Sequence, residues 1–513
     1  MQRFIARYGD RIIGVLSGFD RLLFRGSLRS IEYLGGFDKF LGAHGVLYKD
    51  FGAFVQRLSD RIKDHAREFA AKQGRPLIYL PSSSQSKEDV ARRIMKQDNL
   101  QQGLVCVLSC VEPCMSFTVR RNRERKQLEL VPAHRKCLFL YFYFVDREFG
   151  LMHVRLQTWL PMPIQVCLNG REYLGRRLDR AGIGYEKHDN CFTRIDDLPR
   201  AQQMLADLEQ RDWGAFLSAL ARRLNPWMSR RSPLALRGYY WTLRESEYAS
   251  DVIFTSTEAL REVYPALVRH AIQHFTCRDV MRFLGRRTNS RFNGEASTNI
   301  RHRTEGVRIK HWVEENSIKM YDKQGSVLRV ETTINNPRRF KVRRQATRNG
   351  RRCAAWIPMR KSIADICRRV EICRAANERY FEALGVVGES SPTRHLMDPV
   401  SRRIIRGGRG YRALRPIQAD EAKLFAALLE GTFLLQGFRN KDVRRRILPQ
   451  SGSDPHARKR TSGRVTRLLR LLRAHGLIRK VSRTFYYRVT AKGHYIMTTA
   501  LKLRELDITA LAA

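Results

Sequence analysis

The chain of 513 residues carries 96 Lys and Arg against 50 Asp and Glu, which gives a formal net charge of +46. With 43% hydrophobic and 10% aromatic residues it can bury several cores, so a disordered basic tail is excluded. The most apolar run, 137–145, is far shorter than the ~20 residues of a membrane-spanning helix. The N-terminus also lacks a signal-peptide pattern, so we expect a cytoplasmic protein without a membrane partner.

A positive charge of this size needs a counterpart. The phosphate backbone of a nucleic acid is the natural one, because Lys and Arg release its condensed counterions when they neutralise it. A genome that favours Arg codons would exchange Lys for Arg, but it would not create an excess over acidic residues. The composition therefore predicts a nucleic acid as partner, and it leaves DNA, duplex or single-stranded, and RNA open.

Ten cysteines are spread along the chain, and three of them form a Cys-x3-Cys-x3-Cys run at Cys106, Cys110 and Cys114. Structural zinc sites use Cys-x2-Cys pairs with a second pair downstream. No second pair follows this run, so we expect reduced core cysteines, no metal site there and no cofactor.

The first part of the chain, 1–195, alternates short apolar runs with amphipathic stretches, which favours an α/β domain. Its predicted strands lie at 12–16, 19–24, 77–80, 104–108, 137–145 and 151–160, and its predicted helices at 48–71, 90–96 and 169–180. The turn-forming residues 146–150 join two of these strands into a β-hairpin.

One predicted strand of this hairpin has a polar side that suits nucleic acid. Because side chains alternate along a strand, this side consists of His153, Arg155, Gln157 and Trp159. Rings, a guanidinium and an amide together are typical of surfaces that bind single strands or structured RNA. The basic run 120–126, which begins with Arg120 and Arg121, is predicted as a loop that contacts phosphate.

The middle of the chain is predicted to pass from helices to strands and back to a helix. The predicted segments are a helical region at 196–290 with helices over 198–224 and a helix-turn-helix over 257–284, a β-rich segment at 291–345 with strands at 307–313, 317–321 and 327–334, and a helix at 362–384 with a basic linker in 346–416.

The helix-turn-helix pattern occurs twice. The spacing of Phe275, Asp279, Val280 and Leu284 is repeated by Phe438, Asp442, Val443 and Ile447. Two such modules could bind two half-sites. The alternative is coincidence, because Asp is favoured near the start of any helix.

The segment 417–513 shows helices at 421–429, 441–448 and 463–475, then a β-hairpin over 477–490 and a further helix. In the third helix Val465, Leu468, Leu469 and Leu472 have helical spacing and are predicted to pack inward. The arginines of the same helix, at 464, 467, 470 and 473, spread over the remaining surface.

This segment resembles the winged-helix modules of bacterial regulators, in which the third helix reads the major groove. The resemblance implies base contacts from Arg464, Arg467 and Arg470, and phosphate contacts from Lys480, Arg483 and Arg488. Some winged helices bind RNA or protein instead. The predicted fold is therefore α+β: a mixed α/β body, an all-helical connector and a C-terminal winged helix.

Two short blocks, Tyr321–Asp322–Lys323 and 328–331, resemble replication initiators of filamentous phages and rolling-circle plasmids. The likeness implies Tyr321 as a nicking nucleophile. However, the sequence has no His-x-His motif to hold the required metal ion. The alternative is structural, with Arg329 and Glu331 paired on one face of a strand.

A metal-dependent nuclease is the other enzymatic interpretation. Asp20 lies in an apolar strand, where a two-metal nuclease places its first ligand, with Asp146, Glu148, Asp322 and Glu331 as candidate partners. This interpretation alone would require Mg²⁺. The alternative is that Asp20 forms ion pairs with the neighbouring arginines.

The whole chain is similar to a family of uncharacterised proteins from environmental bacteria, in the segments 14–21, 168–172 and 321–323. That family implies no activity. We therefore expect a DNA-binding factor of a mobile element, similar to a replication initiator or a transposition protein. An RNA-binding protein and a metal-dependent nuclease are the alternatives.

Overall fold

A computed structural model describes residues 1–229, 231–286, 294–303, 306–348, 351–388, 392–448 and 455–505. The helices are α1 (Gln2–Tyr8), α2 (Leu34–Ala43), α3 (Phe51–Ala71), α4 (Lys87–Gln97), α5 (Gly170–Ala181), α6 (Leu198–Glu209), α7 (Trp213–Leu224), α8 (Thr257–Gln273), α9 (Cys277–Phe283), α10 (Ile366–Leu384), α11 (Thr393–Met397), α12 (Ala419–Leu428), α13 (Gly431–Gln436), α14 (Asn440–Ile447), α15 (Pro455–Ala474) and α16 (Ala491–Glu505).

The described residues also form strands between these helices. They are β1 (Ile12–Ser27), β2 (Leu77–Leu80), β3 (Gly103–Asn122), β4 (Gln127–Asp146), β5 (Gly150–Gln157), β6 (Ile164–Asn169), β7 (Tyr185–His188), β8 (Cys191–Ile195), β9 (Tyr240–Phe254), β10 (Ala296–Arg303), β11 (Gly306–Val313), β12 (Asn316–Lys323), β13 (Val327–Thr333), β14 (Lys341–Arg348), β15 (Arg351–Pro358), β16 (Ile404–Arg406), β17 (Arg409–Tyr411), β18 (Ile478–Lys480) and β19 (Tyr487–Val489). The chain is thus a mixed α/β protein, as expected.

The chain forms two compact units, each built from segments that are distant in sequence. The central unit comprises Gly14–Ile253 and Thr333–Val370. The terminal unit comprises Met1–Ile13, Phe254–Thr332 and Glu371–Ala513. The five consecutive segments predicted from the sequence do not coincide with these units, because residues far apart in the chain pack into the same core.

In the central unit the neighbouring strands follow the order β9-β1-β6-β5-β4-β3-β2. β2 is parallel to β3, whereas β3, β4, β5, β6 and β1 pair antiparallel in succession. Helices α2 and α3 pack on the long strands β4 and β3, and α4 packs on β3. The strands are strongly apolar where helices cover them, as expected for a sheet with buried faces.

Strand β1 is one continuous element where the sequence indicated two. Two of its glycines, Gly14 and Gly18, allow close packing against α6. A Cβ atom added at Gly18 would lie 2.9 Å from a methyl group of Leu205, and one added at Gly14 would lie 2.6 Å from Leu198. Glycine inside a strand here marks a close approach of a neighbouring helix, not a turn.

Strand β3 is about four times and β4 about twice as long as predicted, and they pair from Gly103↔Val145 to Asn122↔Gln127 with one register shift between Leu104 and Cys106. The basic run predicted as a loop is therefore mostly the end of β3 and the tight turn after it, 123–126. Strand β4 pairs with β5 only from Phe139 to Asp146, so residues 127–138 of β4 have no pairing with β5. We call the projecting part of this ribbon, residues 111–138, the basic hairpin.

The predicted all-helical connector is wrong. The region 196–290 contains the 15-residue strand β9, and the hairpin of β14 and β15 follows further along the chain. Charged residues interrupt the apolar pattern of these strands, for example the consecutive and exposed Arg244 and Glu245 in β9. The charges lowered the apparent apolar signal, although the alternation of a half-buried strand was present.

In the terminal unit the strands follow the order β10-β11-β12-β13, and α8 and α9 pack against β11. Helices α12, α14, α15 and α16 surround a separate apolar core with the β18–β19 hairpin. Val400 and Leu414 are buried in that core. The segment predicted as a basic linker is therefore partly structural, with α11 and the short hairpin of β16 and β17.

No helix in the described ranges is both long enough and apolar enough to cross a membrane.

Candidate functional site

Helix α15 presents a row of cations on the outside of its core. Val465, Leu469 and Leu472 are buried at helical spacing, and Leu468 is partly buried against the same core. On the other side the arginines at 464, 467, 470 and 473 are all exposed. Within the described ranges none of these four arginines has an acidic partner.

The start of α14 is fixed to α15 by side-chain hydrogen bonds. Asn440 Nδ2 donates to the carbonyl oxygen of Ser462 at 2.9 Å and to Thr466 Oγ1 at 2.8 Å. Asp442 Oδ2 accepts the backbone N–H of Arg439 at 2.9 Å and thereby caps the start of α14 from one side. The two helices therefore keep a defined mutual orientation, and α15 is held with its cationic side outward.

The β18–β19 hairpin adds further cations next to this helix. Phe438, just before α14, exchanges two backbone hydrogen bonds with Tyr487 of β19, at 2.8 and 3.0 Å. Lys480, Arg483 and Arg488 on the hairpin are all exposed. Phe485 at its tip is 83% exposed, the largest value among the exposed large hydrophobic side chains of the described residues.

The predicted repeat has a structural basis in helix capping. In α9 and α14 the side chains of Asp279 and Asp442 accept the backbone N–H of the residue before the helix, and both helices bury the valine that follows the Asp. However, α9 has only seven residues, and its Arg278 and Arg282 form ion pairs with Glu505 and Asp279. The surface of α9 is therefore less suited to phosphate than that of α15.

The basic hairpin carries Arg120 and Arg121 near its tip. Arg120 forms an ion pair with Glu129 on the opposite strand, with Nε 2.9 Å from the carboxylate. Arg121, Arg123 and Arg125 are exposed. One side of the hairpin is anchored by Phe117, whose ring stacks on Phe37 of α2 with centroids 4.5 Å apart. The hairpin is thus an anchored two-stranded ribbon with a cationic end.

Asp20 lines a cavity of about 250 Å³ in the central unit. It lies on β1 and is only 2% exposed. Asn190 Nδ2 lies 2.9 and 2.7 Å from its two oxygens, so an ionised carboxylate accepts this donor. An oxygen of Asp20 and an oxygen of Glu247 lie within 4.8 Å of each other.

The backbone around Asp20 is packed without spare room. A Cβ atom added at Gly170 would lie 2.0 Å from the carbonyl oxygen of Phe19. Gly170 is the first residue of helix α5, and the side chain of Asn169 caps this helix by accepting the N–H groups of Arg171 and Glu172. Glu172 in turn pairs with Lys187 at 2.5 Å. These contacts fix the position of Asp20 in the cavity wall.

The polar side of β5 is divided between two cavities. His153 lines the cavity of Asp20, and burial lowers its pKa to about 4, so this ring is neutral near pH 7. Arg155 lines a second, larger cavity and pairs with Glu112 at 2.6 Å. Trp159 is half-buried, with the guanidinium of Arg135 5.0 Å from its ring centroid. His153 and Arg155 remain on one side of β5, as the alternation predicts, and the hydroxyl of Tyr141 accepts from Arg155 Nε between them at 2.9 Å.

Tyr321 and Glu331 lie in the terminal unit and are both buried. The Tyr321 hydroxyl donates to Glu331 Oε2 at 3.0 Å, and Lys319 Nζ lies 2.6 Å from Oε1. A hydroxyl held in this way is not presented to a nucleic-acid strand, so the structure gives no support to Tyr321 as a nicking nucleophile. Arg329 is buried on the same face of β13 as Glu331, as the structural alternative expected.

Sequence reasoning missed Glu247, Asn190 and most residues of the larger cavity, although Arg155 and Gln157 of that cavity were among the predicted binding residues. Glu247 lies on β9, which the sequence did not indicate, and Asn190 lies in the turn between β7 and β8. The charge alternation of β9 was a usable signal for Glu247. The position of Asn190 depends on tertiary packing, and no local pattern points to it.

The chain matches no protein-family model, and comparisons with the curated proteins and with the solved structures find no match.

Proposed function

We propose that the protein binds nucleic acid, with duplex DNA as the principal partner, through a C-terminal winged helix in residues 417–505. The observation that carries this proposal is the exposed row of four arginines on α15. A helix of 20 residues is about 30 Å long, and the major groove is wide enough to admit it. Helices α12 and α14, with the β18–β19 hairpin beside α15, have the order of elements that this class of module requires.

The roles of individual residues follow from their positions. Arg464, Arg467 and Arg470 face away from the core and would reach base edges, where Arg recognises guanine with two hydrogen bonds. Lys480, Arg483 and Arg488 on the neighbouring hairpin would contact phosphate. A role in a mobile element, such as replication initiation or transposition, is part of this proposal.

The test compares binding of a fluorescent duplex by the full chain and by two variants. Arg467→Ala should weaken binding by ~1–3 kcal/mol if this side chain reads a base. Arg402→Ala is the matched control, because Arg402 is also exposed in the terminal unit but lies outside α15 and the hairpin. Equal effects of the two substitutions would move base recognition away from α15.

Sequencing of the nucleic acid that co-purifies at low salt distinguishes the partners. Recovery of DNA supports the proposal. Recovery of a defined RNA that duplex DNA does not displace would favour the RNA-binding alternative. If neither DNA nor RNA is retained, the proposed function is wrong.

A second candidate function is Mg²⁺-dependent cleavage of nucleic acid in the cavity of Asp20. The observation that favours it is the close pair of carboxylates from Asp20 and Glu247. Mg²⁺ is usually held by one or two carboxylates together with substrate phosphates, so this pair fits that ion. Arg21 lines the same cavity and could bind a phosphate oxygen. Hydrolysis would break one phosphodiester P–O bond and form another to water.

Cleavage of labelled single-stranded and duplex DNA with Mg²⁺ or Mn²⁺ tests this second candidate. Asp20→Asn and Glu247→Gln should each abolish cleavage while nucleic-acid binding persists. Glu186→Gln, on the exposed strand β7, is the control and should cleave normally. The absence of cleavage by the unmodified protein with either ion would rule out the candidate.

A further inference from the structure

The larger cavity of the central unit has a volume of about 640 Å³. Cavities of ~300–1,000 Å³ are typical of sites for small ligands. Its walls come from β1, the segment before α2, the base of the basic hairpin, β5, β6 and β9. None of these elements is needed for the proposed contacts of the C-terminal segment, so the cavity is an independent feature.

Three guanidinium groups line this cavity, from Arg25, Arg155 and Arg244. Arg155 is neutralised by Glu112, and Arg25 pairs with Glu32 at 3.1 Å. Arg244 is exposed and has no acidic partner in the described ranges. The cavity therefore has an excess of positive charge.

The pKa of Arg25 reflects the other positive charges of this cavity. Burial lowers its pKa, and although Glu32 raises it in part, the charges of Arg244 and Arg155 lower it further. Its Nε atom is buried and makes no hydrogen bond within the described ranges. A buried donor in a positive environment is stabilised when an anion binds beside it.

The other walls are apolar and aromatic. Phe117 lines the cavity, and the ring of Phe37 stacks against it at 4.5 Å. Tyr33 is 61% exposed, yet its ring is held close to the backbone, because a Cβ atom added at Gly36 would lie 2.8 Å from it. Met115 beside it is 54% exposed. A fixed, accessible ring is what a flat ligand needs for stacking.

We propose that this cavity holds one nucleotide of a single-stranded nucleic acid, with the base stacked on Tyr33 and the phosphate bound by Arg25 and Arg244. Single-strand sites combine stacking rings with cations that follow the backbone. Residues 113–117 of the basic hairpin form part of the cavity wall, so a bound strand would continue along the cationic ribbon. This inference rests on the proposed nucleic-acid binding and assigns it a second, strand-specific site.

The experiment measures the fluorescence anisotropy of labelled oligothymidylate and oligouridylate on the full chain. Tyr33→Ala should weaken binding of the single strand by about fivefold or more, since one stacked base contributes ~1–3 kcal/mol. Arg244→Ala should also weaken it by about fivefold or more, because a contact to phosphate is lost. Tyr79→Ala and Arg222→Ala are matched controls, because Tyr79 is 55% exposed on β2 and Arg222 is exposed on α7. Duplex binding should change by about twofold or less in all four variants.

A second readout follows the base directly. A fluorescent adenine analogue within the oligonucleotide should be quenched by the unmodified protein, and Tyr33→Ala should restore its emission. A stronger effect on the RNA or on the DNA strand tells which of them the cavity prefers. Free thymidine monophosphate that competes as well as the oligonucleotide would overturn the proposal in favour of a site for free nucleotides.

The failure of this inference is separable from that of the proposed function. If the duplex binds but the single strand does not, or if the four variants bind the single strand equally, the inference is wrong and the C-terminal proposal stands. If neither nucleic acid binds, both are wrong. Thermal unfolding of each variant checks that the substitutions leave the central unit folded.

Discussion

Arg171 and Asp251 form an ion pair in the interior of the central unit. The Nη2–Oδ2 distance is 2.9 Å, and the two side chains are 0% and 1% exposed. Both charges have been removed from water, which costs several kcal/mol for each ion, so the pair is stable only while both partners are present. Arg171 belongs to α5, the helix that packs beside Asp20.

We predict that Asp251→Ala lowers the free energy of unfolding by ~3–5 kcal/mol, because an unpaired guanidinium would remain buried. Urea unfolding followed by fluorescence measures the change. Glu186→Ala, which removes an exposed ion pair with Arg194, should cost about 1 kcal/mol or less. The double variant Arg171→Met, Asp251→Leu should recover much of the loss. A double variant as unstable as Asp251→Ala would contradict this explanation.

His311 is a buried polar residue in the interior of the terminal unit. It is 0% exposed, its Nδ1 lies 2.9 Å from Thr298 Oγ1, and its Nε2 lies 3.1 Å from the Tyr380 hydroxyl. Burial lowers the pKa of the ring from 6.5 to about 4. The folded protein thus holds a neutral imidazole at pH values where the unfolded chain is protonated.

Because this pKa is lower in the folded state, the unfolded chain binds more protons between pH 6.5 and 4, and stability falls as the pH falls through this window. At pH 5 the contribution of His311 should be a loss of ~2 kcal/mol relative to pH 7. His311→Gln should make the unfolding free energy less steep in pH by about one proton, measured by urea unfolding at intervals from pH 7 to 4.5. If the slope of the unfolding free energy against pH is unchanged in this variant, His311 is not responsible for the pH dependence of stability.

For single residues, the sequence predicted which side chains are buried better than it predicted which residues they contact. The spacing of Val465, Leu469 and Leu472 was sufficient to assign the buried side of α15, because burial in a helix follows its period. Asp20 could be selected as an acid within an apolar strand. Its neighbours Glu247 and Asn190 could not be assigned to it, because they come from distant parts of the chain.

Among the elements, the basic hairpin differs most from its predicted form. Twelve residues of each strand extend beyond the pairing with β5, which corresponds to ~40 Å of ribbon. A two-stranded ribbon fits into the major groove as a helix does. The hairpin could therefore bind a duplex by its tip, or a single strand along its side.

We predict that the triple variant Arg121→Gln, Arg123→Gln, Arg125→Gln binds nucleic acid with a weaker salt dependence. Each lost phosphate contact should reduce the slope of log K against log salt concentration by ~0.9 on duplex DNA, so the expected reduction is ~2.7. Anisotropy titrations at several salt concentrations measure it. Replacement of Arg57, Arg61 and Arg67 on α3 by Gln is the control, and equal slopes for both triple variants would exclude a phosphate-contacting role of the tip.

Helices and a short apolar strand could be predicted from the sequence, and long strands that carry charged residues could not. The strand at 77–80 and the helices α3, α5 and α14 agree with the predicted spans to within a few residues. Period and capping residues define such elements locally. In β3, β4 and β9 charged residues interrupt the apolar pattern, and the length of each strand depends on a partner strand elsewhere.

For the molecule as a whole, the charge of +46 predicts a strong dependence of binding on salt. If six to ten phosphates are contacted, affinity for duplex DNA should fall by ~10³–10⁵ between 50 and 200 mM salt. Anisotropy titrations with a 30-base-pair duplex would show this. A decrease of less than about tenfold would mean that most of the positive charge takes no part in binding.

The organisation into two units was beyond what the sequence could indicate. The terminal unit joins the first 13 residues to segments that begin at Phe254 and Glu371. In α1, Phe4 packs against Phe381 of α10, with ring centroids 5.2 Å apart. Contacts between residues nearly 380 positions apart leave no trace in local composition, so sequence patterns could only suggest consecutive segments.

The exposed side chain of Phe485 has a consequence for hydration. At 83% exposure, most of its apolar surface is in contact with water at the tip of the β18–β19 hairpin. Transfer of a phenylalanine side chain from water into an apolar contact is favourable by ~1.5–3 kcal/mol. This gain does not depend on charge, so it would persist at salt concentrations that weaken every phosphate contact. If the proposed nucleic-acid partner covers this ring, its contribution to the affinity would be independent of ionic strength.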